Sequence, residues 1–128
     1  MLLVAFSVPS CAPNAPPIAE SQYPVKLAGD WQGSVGDMKE TISFRSDGGF
    51  TSHMRPMGFI SNTLGQGVTG TIRGTWAIQG KVITLTISSA EDERLLNKTT
   101  ASTIESFKQN ELVVKSSSGE TSTFVRVL

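Results

Sequence analysis

The chain has 128 residues, and its eleven basic and eleven acidic side chains cancel to a formal charge of zero. That length suits one domain, and the scatter of Lys and Arg along it excludes the basic footprint of a nucleic-acid binder. A single cysteine excludes an internal disulfide and a cysteine-rich zinc site, while twelve glycines among many Thr, Ser, Val and Ile favour a β-rich chain with many turns.

The opening segment, "MLLVAFSVPSCAPNAPP", divides into two parts. Residues 2–8 are almost all apolar and carry no charge. That run is too short for a membrane-spanning helix, which needs roughly 20 residues, and it suits the apolar region of a secretory signal. Small Ser10 precedes Cys11, and "APNAPPIAESQ" follows with no charge before Glu20. Such a composition cannot bury enough surface to fold, so it reads as an extended tether. An apolar run, a small residue, a cysteine and a tether together resemble the lipobox of bacterial lipoproteins, in which the cysteine becomes the lipidated first residue. Val8 and Ser10 fit that pattern; Pro9 is unusual for it, and Met1-Leu2-Leu3 lacks the Lys or Arg with which such signals begin. The resemblance implies a lipid on Cys11. With Ala12 rather than Asp next, it implies the outer membrane of a Gram-negative cell, facing the periplasm. The competing reading is a free thiol on an unstructured tail. Residues 1–10 are thus expected to be signal-like, 11–26 to be the lipidated cysteine and a flexible linker, and 27–128 to be the folded domain.

From Leu27 onward, apolar and polar residues alternate. "DWQGSVGD" (30–37) predicts a first strand and "KETISFR" (39–45) a second, with Ile42 and Phe44 on one face. "SDGG" (46–49) predicts a hairpin turn, because Asp-Gly supplies the positive φ of tight turns. "FTSHMR" (50–55) returns with Phe50 and Met54 in phase. After the irregular "PMGFISNTLGQG" (56–67), "VTGTIRGTWAI" (68–78) aligns Val68, Ile72, Trp76 and Ile78, with Gly70 and Gly74 on the same face. "QG" (79–80) turns the chain into "KVITLTIS" (81–88), where Ile83, Leu85 and Ile87 share a side. "SAEDERLLNKT" (89–99) is a charged excursion with room for one helical turn. "TASTIESFKQ", "ELVVKSS" and "TSTFVRVL" close the chain, with turns at Gln109-Asn110 and Ser118-Gly119. The period is 2 throughout and no stretch has a convincing 3.6 period. An all-β antiparallel meander of about eight strands removes its edges by closing into a small barrel; a flattened two-sheet sandwich is the competing architecture.

"KLAGDWQGS" and "TFVRV" add a resemblance over residues 27–128. Gly29-Asp30-Trp31 matches the G-x-W signature that opens the first strand of lipocalins, and Arg126 matches the basic residue of their last strand. "SFRSDGGFTS" and "GTWAIQGKVITLT" look like the hairpins of small bacterial lipocalin-like domains. The resemblance implies a lipocalin-like barrel in which Arg126 packs over Trp31 and closes the base. Many lipocalins also carry a helix after the barrel, whereas this sequence ends with its last strand, and a shorter barrel has a smaller interior.

No catalytic constellation is legible. His53 is the sole histidine and sits on the face opposite Phe50, towards solvent; a zinc site would need partners for it. There is no Gly-x-Ser-x-Gly and no acid–base partner to place beside a serine. Asp37, Glu40, Glu91, Asp92 and Glu93 read as solvated turn charges, and "GQGVTG" precedes no helix that would hold a phosphate. The expectation is a protein without catalytic residues, metal or cofactor.

Two functions then compete. One is an envelope lipoprotein that binds a small hydrophobic or amphiphilic molecule in the barrel, lined by Phe44, Phe50, Met54, Trp76, Ile83, Leu85 and Val114, with Phe59 at the mouth. In the other, the barrel is filled and the protein is an interaction or structural module acting through its surface and the 56–67 loop, where Met57, Phe59, Ile60 and Leu64 stand among glycines. Loops of that length in small domains are often functional. A binder needs a cavity of several hundred Å³; a surface module needs an exposed apolar patch.

Overall fold

The computed structural model describes residues 16–35, 38–54, 58–64 and 70–127. Cys11, the signal-like segment, Asp37 and Met57 lie outside them. Eight strands follow one another: β1 (Gly29–Val35), β2 (Met38–Phe44), β3 (Gly49–Met54), β4 (Gly70–Gln79), β5 (Val82–Ala90), β6 (Thr99–Lys108), β7 (Glu111–Ser116) and β8 (Thr121–Arg126). Two short helices accompany them, α1 (Tyr23–Leu27) before β1 and α2 (Phe59–Leu64) between β3 and β4.

Period-2 alternation makes one side of each strand dry. In β3, Phe50, Ser52 and Met54 are buried while His53 is exposed; in β7, Leu112, Val114 and Ser116 are buried while Lys115 is exposed. Strands with one dry face, joined by tight turns, hide it most completely by curling until the sheet meets itself. Every strand pairs antiparallel with the next, and β8 pairs back onto β1 through Trp31↔Arg126 and Gln32↔Val125. The barrel is therefore closed, and the sandwich alternative falls. Inward faces meet in register, as in Phe44↔Phe50 across β2 and β3. In β8, Phe124 points in, while Val125 on the outer face is 48% exposed. The charged excursion holds a single 3-10 turn, Glu93–Leu95, which Leu95 pins to the core and Asp92 caps by accepting the Arg94 N–H.

One end of the barrel, the base, gathers the start of β1, the end of β8 and the segment before α1. Pro17 bridges to Lys108, and the Ile18 N–H donates to the Phe107 carbonyl at 2.8 Å. Tyr23 then tilts against Phe107, with ring centroids 5.2 Å apart. Residues 16–26, expected from composition to be flexible linker, are thus folded onto the base. Two residues overcome the polar composition: Tyr23 and Leu27 bury their side chains under the strands. Pro24 at the start of α1 removes an N–H that the first turn would leave unpaired anyway.

Trp31 is fully buried here, its indole N–H donating to the Leu27 carbonyl at 2.9 Å. The Arg126 guanidinium carbon lies 4.3 Å from the Trp31 ring centroid. Its nitrogens donate to three carbonyls, Gln109 (2.8 Å), Ala28 (3.2 Å) and Lys26 (2.7 Å). One cation therefore covers the indole and satisfies carbonyls left open where α1 ends. Gly29 makes room for it: its φ is +135°, and a Cβ there would lie 2.7 Å from Arg126 Nη1. The spacing of glycine and tryptophan in the first strand thus has a mechanical reason.

Candidate functional site

The interior space lies between the base and α2, which covers the opposite end. Ile42 and Phe44 of β2, Ile83 and Leu85 of β5, Ser102 of β6, Leu112 and Val114 of β7 and Phe124 of β8 surround a chamber roofed by Phe59 and Ile60 of α2. Its free volume is about 30 Å³. That admits a water molecule but offers it few partners, because among the described residues Ser102 is the one polar side chain in the wall.

Segment 56–67, expected to be an irregular loop, is helical over Phe59–Leu64. Its apolar residues are spaced for one side of a short helix: Phe59, Ile60 and Leu64 are buried, with Phe59 edge-on to Phe124 at 6.2 Å. Six residues give too little helical signal to stand out in the sequence, and the helix forms here because the barrel mouth receives its apolar side.

Glu40 is the polar element of this end, and it is where the sequence reading is corrected. It was expected to be a solvated turn charge; it is 1% exposed. One carboxylate oxygen accepts the Phe59 N–H at 3.0 Å and the other the Ile60 N–H at 3.4 Å. A helix start leaves such N–H groups without intrahelical partners, and Glu40 supplies acceptors from a neighbouring strand. It pairs across the β1–β2 ladder with Gly33, where a Cβ would lie 3.0 Å from the Phe124 ring. The signal that could have found Glu40 was its phase: Glu40, Ile42 and Phe44 stand two apart and share the inward face of β2.

Burial pushes the Glu40 carboxyl above its ordinary value of 4.5; the Phe59 and Ile60 N–H groups pull it down less, and the charge of Glu120 adds to the rise. A raised folded value means that the native state holds this proton more tightly than the unfolded chain. The stabilisation is therefore fully present below the unfolded value and lost as pH rises through the folded one. Unfolding free energy measured from pH 4 to 8 is expected to decline more in the parent than in Glu40→Gln, and parallel curves would contradict it. At neutral pH, Glu40→Ala strands two buried N–H groups and is expected to cost about 1–3 kcal/mol in denaturant unfolding.

The predicted lining residues divide. Phe44, Phe59, Ile83, Leu85 and Val114 do face the chamber. Phe50 and Met54 do not: they are buried in the packed core and border no part of it. Trp76 is only partly buried, packs against the core and does not border the chamber. It sits near the base, edge-on to Phe44 at 5.3 Å, with its indole N–H donating to the Arg45 carbonyl at 2.8 Å. Its other side lines an open surface groove with Pro24, Val25 and Ile78. Its phase was read correctly, but a residue near the end of an inward row meets the rim, where space opens outward. His53 is exposed, with ring Nδ1 2.8 Å from the Thr71 hydroxyl.

This architecture has counterparts among solved structures. The chain is similar to a lipocalin-like protein of Bacteroides uniformis, with a TM-score of 0.53 and 17% identity over 80% of this chain and 99% of that one. The fold is lipocalin-like. An uncharacterized protein of Bacteroides eggerthii also aligns, with a TM-score of 0.49 and 13% identity over 78% of this chain and 98% of the other. No protein-family model matches the sequence, and no curated protein matches it. In this lipocalin-like barrel the base is closed by Trp31 and Arg126, and the opposite end is roofed by α2.

Proposed function

We propose that this lipocalin-like chain is a lipid-anchored protein of the cell envelope, held at Cys11, whose barrel takes up a small apolar or amphiphilic molecule beneath α2. The observation that supports binding is the construction of the mouth. The chamber walls are strands of a closed ladder, but its roof is two side chains of a six-residue helix. A space of about 30 Å³ is far below a usual ligand pocket, so the molecule takes the place of Phe59 and Ile60 rather than joining them. The anchor reading rests on the lipobox-like segment. It is consistent with the fold, since the chain reaches the barrel through Pro17 at the base, leaving the roofed end pointing away.

The same small volume favours a second reading, a filled barrel that acts as an interaction module through its surface. Native mass spectrometry of the chain from Ala12 onward, purified gently from the producing cell, separates the two. A small co-purifying mass that is lost on denaturation is the expected result. A bare protein mass that stays bare after incubation with lipid extracts would overturn the binding reading in favour of the module. The anchor is tested separately: the intact mass of the envelope form is expected to include acyl groups, and Cys11→Ser is expected to leave the membrane fraction.

A further inference from the structure

Phe59 and Ile60 do two things at once. Their side chains roof the chamber, and their N–H groups occupy the Glu40 carboxylate. A molecule that displaces the roof therefore also takes the donors away from Glu40. That carboxylate is buried on the same face of β2 as Ile42, which lines the chamber. A buried carboxylate stripped of its donors is more costly than a neutral polar group left unpaired. A pure hydrocarbon offers it nothing, so the incoming molecule has to bring the donors itself.

We propose that the chamber accepts an amphiphile with a slim, unbranched apolar tail and a primary ammonium head, the head replacing the Phe59 and Ile60 N–H groups on Glu40. This rests on the binding reading above and narrows it to a chemical class. An ammonium carries three donors, and its bonds to a carboxylate are charge-assisted. The fold has already taken Glu40 out of water, so complex formation desolvates only the head. The tail is slim because the free space is small and the walls belong to a closed ladder. Fatty acids, the obvious guess for an apolar chamber, are disfavoured. A carboxylate head brings no donor and sets a second negative charge against Glu40, whose site already feels Glu120.

Three probes with one tail test this: decylamine, decanol and decanoate, titrated below their micelle concentrations by calorimetry against the chain from Ala12 onward. Decylamine is expected to bind about tenfold or more tighter than decanol, as one charge-assisted bond would give, and decanoate weaker than decanol. In Glu40→Gln the amine's advantage is expected to shrink to a few-fold and the handicap of decanoate to disappear. Should that variant fail to fold, hydrogen exchange on the parent decides: decylamine is expected to speed exchange at the Phe59 and Ile60 amides. Equal affinities for amine and alcohol, or unchanged exchange at those amides with amine bound, would overturn the ammonium assignment and leave the binding reading standing. Binding of none of the three would overturn both.

Discussion

Trp31→Ala is expected to lower the unfolding free energy by about 3–5 kcal/mol, the range for removing a large aromatic from a packed core. For a chain of this size that corresponds to a fall in Tm of roughly 10–20 °C. Three losses combine. The indole is wholly buried and packs edge-on to Phe107, with centroids 5.8 Å apart. Its N–H leaves the Leu27 carbonyl without that donor, and the Arg126 guanidinium loses the face it covers. A double-mutant cycle with Arg126→Ala isolates the last of these, with a coupling of about 0.5–2 kcal/mol expected for cation and ring. The base also holds residues 16–28, so the segment from Pro17 to Leu27 is expected to gain hydrogen exchange before the strands do. A Trp31→Ala protein that melts with the parent would refute the description of the base as the structural lock of the barrel.

The second large effect is expected from the smallest change. In Gly74→Ala, a single methyl is added where β4 and β5 shift register between Arg73 and Gly74. The new Cβ runs into the backbone carbonyl oxygen of Thr86, and the Phe50 ring stands 3.0 Å away on another side. A colliding side chain could change rotamer, but a carbonyl held in a ladder cannot. The strands must part or the bulge must move, and a one-residue slip would turn the inward row of β5 outward. The expected cost is at the upper end of about 1–3 kcal/mol for overpacking. It should appear as a lower Tm together with faster exchange of the amides that bond β4 to β5 around Gly74 and Thr86. Parent-like stability in this variant would mean that β4 and β5 do not approach as closely as described.

Both positions bear on how the sequence relates to the structure. Gly74 was legible as an inward glycine within a strand, a place where backbone comes close. Trp31 and Arg126 were legible through their resemblance to a known signature. The site was legible only in part. Of the eight residues expected to line a ligand space, five border the chamber, because strand phase says which way a side chain points. Phase does not say on which side of the barrel the space is left: the chamber is bordered by β2 and β5–β8, so Phe50 and Met54 of β3 fall in solid core and Trp76 of β4 falls at the rim.

The all-β class, the approximate number and the order of the strands, their inward faces and their turns are readable from local pattern alone. These follow from period-2 alternation and from Asp-Gly, Gln-Gly and Ser-Gly turn chemistry, which act over a few residues. What lies at the two ends follows from long-range packing. Residues 16–28 became a base because Phe107 and Arg126, far along the chain, converge on Tyr23, Leu27 and Trp31. Glu40 became a buried acceptor because α2 delivers two N–H groups to it from nineteen and twenty positions away. The chamber shrank to about 30 Å³ because Phe59 and Ile60 fold into its mouth. Each outcome depends on which distant surface covers a given face, and local pattern carries no information about that.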